Sequence, residues 1–142
     1  MNIKTVTMNN ETETMAFGRE IGKNANPGDV IALIGDLGTG KTTLTKAIAE
    51  GLEITEVITS PTFNIVKEYR SGRIPLFHFD VYRIGDSEEM FQIGYEEYFY
   101  GKGLCVVEWA DIIEELIPEN ATVIRIEAGD SPDKRIYEIE SR

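Results

Sequence analysis

The sequence predicts an α/β layer fold, a mixed and largely parallel central sheet flanked by helices. Three observations carry that reading. Val30-Ile31-Ala32-Leu33-Ile34 and Leu104-Cys105-Val106-Val107 are unbroken apolar runs, the mark of strands buried on both faces. Stretches with helical spacing lie on either side of the first run. Two C-terminal stretches, 121–127 and 135–140, alternate apolar and polar residues as half-buried antiparallel strands do. At 142 residues, with no repeat, low-complexity tract or linker, residues 1–142 read as one domain.

The elements follow in order. Ile3, Thr5, Val6 and Thr7 make 1–8 a short strand. Asn10 with Glu13 three residues on has the pattern of an N-cap and its N3 partner, and Thr14, Phe17 and Ile21 recur at helical spacing, so 11–24 is a helix. Pro27-Gly28-Asp29 is a turn into the first buried strand. Residues 41–51 are helical, with Leu44, Ala47 and Ile48 on one side and Gly51 at the stop. Residues 63–69 and 74–82 form a hairpin around Arg70-Ser71-Gly72-Arg73. Residues 86–100 are short helices divided at Gly94, and 111–116 make a helical turn or two before Pro118.

Composition removes several functions. Lys and Arg number 14 against 25 Asp and Glu, a net charge of −11, which argues against a domain whose main task is to grip nucleic acid phosphates. One His and one Cys leave no soft-ligand metal site and no internal disulfide. No apolar run reaches the length of a membrane span, and no signal-peptide core is present, so a cytoplasmic location is expected.

Gly35-Asp36-Leu37-Gly38-Thr39-Gly40-Lys41-Thr42 matches G-x-x-x-x-G-K-[ST] at every fixed position, after a buried strand and before a helix. Gly35, Gly38 and Gly40 permit positive φ and let the main chain close around phosphate oxygens. The loop amides, those of Leu37 and Thr39 among them, and the helix N-terminus present partial positive charge to an anion. Lys41 is placed to lie along the β- and γ-phosphates, Thr42 to ligate Mg²⁺ and Thr43 to point at phosphate. A plain glycine-rich turn would need neither three glycines nor the Lys-Thr that follows. This is a P-loop NTPase-like signature.

Such a loop works with a carboxylate at a neighbouring strand end. Glu108 directly follows the second apolar run, and Asp80 follows Phe77-His78-Phe79. Spacing alone leaves open which of them ligates metal and which positions water. In Ser60-Pro61-Thr62-Phe63 a hydroxyl would sense the γ-phosphate, with a strand-entry turn as the equal alternative. Trp109 leans to a core role, His78 to filling a strand position, Cys105 to a buried hydrophobe, and the paired glutamates 88–89, 96–97 and 114–115 to solvated helix faces. Neither an N-K-x-D guanine reader nor a D-x-x-G switch is present, which favours ATP. The scattered arginines argue against a small-molecule kinase lid, leaving a kinase and a nucleotide-sensing adaptor as alternatives to a partner-dependent ATPase.

The P-loop, then Ser60-Pro61-Thr62-Phe63, then His78-Phe79-Asp80-Val81-Tyr82-Arg83, then Val107-Glu108-Trp109, in this order and at these distances, resemble the TsaE family. That family is the ATPase of bacterial tRNA threonylcarbamoyladenosine biosynthesis. The resemblance runs from about Glu11 to Arg135. It implies a mixed-sheet P-loop fold, ATP and Mg²⁺, and partnership with TsaD and TsaB, with tRNA reached only through that complex and no membrane. It implies phosphate binding by Lys41 and the loop, Thr42 with Glu108 as the Mg²⁺ pair, Asp80 as a second acid required for hydrolysis, and a functional Trp109. It also implies base contacts from the N-terminal region and from a basic residue near the last strands, best matched by Thr12 and Arg135.

Overall fold

The structure, a computed structural model, describes residues 2–35, 40–59, 61 and 65–141. Seven strands form one mixed sheet: β1 Asn2–Met8, β2 Val30–Ile34, β3 Val66–Tyr69, β4 Leu76–Asp80, β5 Leu104–Glu108, β6 Thr122–Ala128 and β7 Arg135–Ser141. Their order across the sheet is β1-β7-β6-β2-β5-β4-β3. The four inner strands β6, β2, β5 and β4 run parallel, and β7, β1 and β3 are antiparallel to their neighbours. The mixed, largely parallel sheet expected from the sequence is therefore present. β6 is the strand that joins the two parts, parallel to β2 on one side and antiparallel to β7 on the other.

Helices cover both faces. α1 Glu11–Asn24 and α2 Lys41–Gly51 lie on one, their Phe17, Ile21, Leu44 and Ile48 meeting Ile31, Leu33, Val106 and Ile124. α3 Glu88–Gln92, α4 Tyr95–Phe99 and a 3-10 segment, Ala110–Leu116, lie on the other, where Met90, Phe99 and Ile113 meet Ala32, Phe79, Val107 and Val123. Alternation along the central strands sends successive side chains to opposite cores, which is why their sequences are apolar throughout.

Local signals account for the boundaries. Asn10 caps α1, its Oδ1 accepting from the Glu13 amide at 2.9 Å, while Glu13 Oε1 accepts from the Asn9 amide at 2.8 Å. This satisfies two amide donors near the helix start. The hairpin strands are shorter than their sequence spans: β4 stops at Asp80, whose Oδ1 captures the Tyr82 amide at 3.0 Å and turns the chain out of the sheet. β3 is described from Val66 onward, and the expected residues Phe63 and Asn64 lie outside the described residues. Gly94 divides α3 from α4 at φ 72°, as its sequence position suggested. Cys105 is fully buried, and burial pushes its thiol up to about 12, which leaves it an inert packing group.

The contact between α1 and α2 has no counterpart in the sequence reading. A Cβ on Gly22 would lie 2.1 Å from the Ile48 carbonyl oxygen, and one on Gly18 would lie 2.3 Å from Ala47 Cβ. Gly51 approaches Arg19 in the same way. Gly22→Ala improves helix propensity by about 1 kcal/mol, but it forces apart backbone that cannot yield as a side chain would. The expected net cost is about 2 kcal/mol, measured as a fall in Tm of roughly 5 °C. An unchanged Tm would show that the helices separate freely.

Candidate active site

Because β2, β5 and β4 are adjacent and parallel, their C-terminal ends open on the same edge of the sheet. The register places Leu33 opposite Glu108 and Glu108 opposite Asp80. The loop leaving β2 and the two acids of the sequence reading therefore converge, at the place where open α/β sheets receive ligands.

Of the loop itself, Gly35 and Gly40 are described; Leu37, Gly38 and Thr39, like Ser60, Thr62 and Phe63, lie outside the described residues. Gly40 takes φ 92° as it hands the chain to α2, a conformation that penalises any side chain. Gly28 and Gly94 share that conformation. Gly35 contributes its carbonyl, which accepts a hydrogen bond from Lys41 Nζ.

Lys41 opens α2 and is only 6% exposed. Its ammonium lies 4.0 Å from the centre of the Trp109 ring, an arrangement in which the negative ring face stabilises the cation. Tyr82 packs on the other aromatic neighbour of this site, 4.7 Å from Trp109 between ring centroids. Trp109 is half-buried and adopts φ 62°, a strained angle for so large a residue, at the turn out of β5. The core role that composition favoured for Trp109 is thus only part of its setting: it touches the second core and also supports the lysine.

Glu108 is 3% exposed, and its Oε2 is bonded to His78 Nε2. Asp80 lies two residues beyond His78 on the same face of β4, beside Glu108. Burial raises the Asp80 carboxyl above its ordinary value, and the negative Glu108 adds to the rise, against the opposing Tyr82 amide and Lys41 ammonium. The two carboxylates are hard oxygen donors of the kind Mg²⁺ takes, and a dication would relieve the repulsion that they impose on one another. Among the described residues no group of three or more His, Cys, Asp or Glu stands ready to hold a metal. A Mg²⁺ ion held here would need oxygens beyond those of the protein, which is how Mg²⁺ is commonly held.

On the other side of Gly40, a cleft is lined by Glu11 and Thr14 of α1, Gly40 and Thr43, and Asp133, Arg135 and Tyr137. Arg135 Nε lies 3.4 Å from where a Gly40 Cβ would be. Arg135 and Thr43 are therefore brought to the loop. Thr12 sits in the first turn of α1 but is exposed, and that turn lines the cleft with Glu11 and Thr14.

A family model described as "Threonylcarbamoyl adenosine biosynthesis protein TsaE" matches residues 8–136. The chain belongs to the TsaE family. The tRNA threonylcarbamoyladenosine biosynthesis protein TsaE of Bacillus subtilis is 48% identical over 134 residues, 94% of this chain and 83% of that protein. Its counterpart in Treponema pallidum is 41% identical over 114 residues, 80% of this chain and 84% of that one. The crystal structure of Bacillus subtilis YdiB is similar at a TM-score of 0.85 and 41% identity, covering 99% of this chain and 86% of that one.

Within this TsaE family member, the sequence reading missed two contacts of the site. His78 read as a strand filler, although its i, i+2 spacing from Asp80 already places both on one face. Tyr82 was quoted only as part of a motif, and its packing on Trp109 depends on the turn that Asp80 creates.

The raised Asp80 carboxyl has a consequence for stability. Its folded-state value exceeds its unfolded one, so stability is lost as pH rises from the ordinary carboxylate range through the raised value, and the loss persists above it. Asp80→Asn preserves an acceptor for the Tyr82 amide and removes that loss. The variant is expected to melt about 1–3 °C higher than the parent near pH 8 and to match it near pH 3, measured without nucleotide or divalent ions. A variant that melts lower near pH 8 would contradict this assignment.

Proposed function

We propose that this protein is a Mg²⁺-dependent ATPase, cleaving ATP to ADP and phosphate, that supports threonylcarbamoyladenosine formation on tRNA. It acts in the cytoplasm with TsaD and TsaB, which its family membership brings into view. The observation that carries the reading is the convergence of Lys41, Asp80 and Glu108 at the end of β2, β4 and β5, beside a full G-x-x-x-x-G-K-[ST] motif.

Lys41 and the amides at the start of α2 bind the phosphates and counter the charge that develops on the transferring phosphoryl group. The Thr42 hydroxyl and the Glu108 carboxylate would hold the metal ion, which when bound would neutralise phosphoryl oxygens. Asp80, beside Glu108, orients the attacking water or the ion's hydration shell. The motif from Gly35 to Lys41, with Leu37, Gly38, Thr39 and Gly40, would supply the phosphate cradle, and Thr43 and Arg135, with Thr12 near by in the first turn of α1, would border the rest of the nucleotide. The net charge of −11 suits contact with protein partners better than a direct grip on tRNA.

The test is phosphate release from ATP by the protein alone and with TsaB, TsaD and tRNA. A rise of about tenfold or more on adding the partners is the expected result. A flat response would overturn coupling, and a phosphorylated acceptor in place of free phosphate would make the protein a kinase.

A further inference from the structure

His78 is the single histidine of the chain, and it is fully buried. Its Nε2 meets Glu108 Oε2, and no described residue offers a partner to its Nδ1, which is also buried. These facts constrain the ring. A proton on Nδ1 would be a buried donor with nowhere to go, and an unpaired buried donor is among the costlier defects of a core. A bare Nδ1 leaves an acceptor unfilled, which is the milder defect. The arrangement with least cost is one proton, on Nε2, donated to Glu108.

We propose that His78 is a positioning residue that fixes the Glu108 carboxylate for the metal ion. This deepens the ATPase reading and rests on it. Three features make the assignment specific. His78 pairs with Val106 in the β4–β5 register, two residues before the Asp80–Glu108 pair, so the ring stands next to both acids on one face. The central strands hold it in place, since β4 is bordered by β5 on one side and β3 on the other. The bond commits one Glu108 oxygen to the ring and leaves the second for the ion. A carboxylate held this way spends little freedom on ligation, and outer groups that orient a ligand commonly contribute tenfold or more to metal affinity.

The experiment has two parts. Because the chain has one histidine, a long-range ¹H–¹⁵N correlation spectrum of the histidine-labelled protein reports its tautomer without ambiguity. The Nε2–H form is expected; the Nδ1–H form would overturn the proposal, whatever the variants do. The second part titrates Mg²⁺ at fixed ATP and follows thermal stabilisation. His78→Leu should raise the half-saturating Mg²⁺ about tenfold. His78→Gln, whose terminal amide nitrogen reaches as far as Nε2, should return it to within about threefold of the parent. A merely structural histidine predicts lower melting temperatures for both variants with the parent's Mg²⁺ dependence, and that outcome overturns the proposal. A parent without any Mg²⁺-dependent stabilisation by ATP would instead overturn the nucleotide reading, and the proposal with it.

Discussion

Lys41→Ala is expected to reduce phosphate release from ATP by about 10²–10³-fold. The magnitude follows from where the ammonium stands. It is almost enclosed, bonded to the Gly35 carbonyl and placed over Trp109, so its charge acts with little screening by water. A mobile surface lysine at the same distance from phosphate would contribute far less. The variant should still fold, because alanine is the best helix former and position 41 begins α2. An unchanged far-ultraviolet circular dichroism spectrum beside the lost turnover would separate the two effects. Turnover within about twofold of the parent would remove Lys41 from the mechanism.

Glu108→Gln is the second large effect. The amide keeps the volume of the side chain and an oxygen that accepts from His78 Nε2, so the core around β5 stays filled. It removes the negative charge that a hard cation requires. The expected result is a half-saturating Mg²⁺ raised by about 10-fold or more and turnover reduced by about 10²-fold. ATP binding measured without divalent ions should change little, since the proposal assigns the phosphates to Lys41 and the loop. A Mg²⁺ titration that superposes on the parent's would exclude Glu108 from the ion's surroundings and leave Asp80 as the candidate.

Much of the fold was legible because it is written in local patterns. α1 spans the residues its cap and periodicity suggested, since Asn10 and Glu13 mark its start and the turn 27–29 follows its end. β2 and α2 also coincide with their sequence limits, the first because a fully buried strand must be apolar at every position. Strand order was not legible. Nothing in the composition of 122–128 says that it lies against β2 on one side and β7 on the other, because pairing partners are chosen by packing across the whole sheet. The site divides in the same way. Lys41 and Glu108 were named from the motif and from a strand-end position, and the structure brings both to the ends of the central strands. The bond between His78 and Glu108 needed the β4–β5 register, and the role of Trp109 needed a backbone angle that sequence does not display. Thr12 was named from the resemblance alone, and in the structure its neighbours Glu11 and Thr14 are the residues of that turn that line the cleft.

The glycines that let α1 touch α2 reach beyond packing. Gly18 and Gly22 each weaken α1 as an isolated helix by about 1 kcal/mol, so α1 draws its order from the neighbour it leans on. Such helices open together, as one cooperative unit of local unfolding. An anion that tightens the first turn of α2 is therefore expected to slow amide exchange along the whole of α1, including turns far from the site.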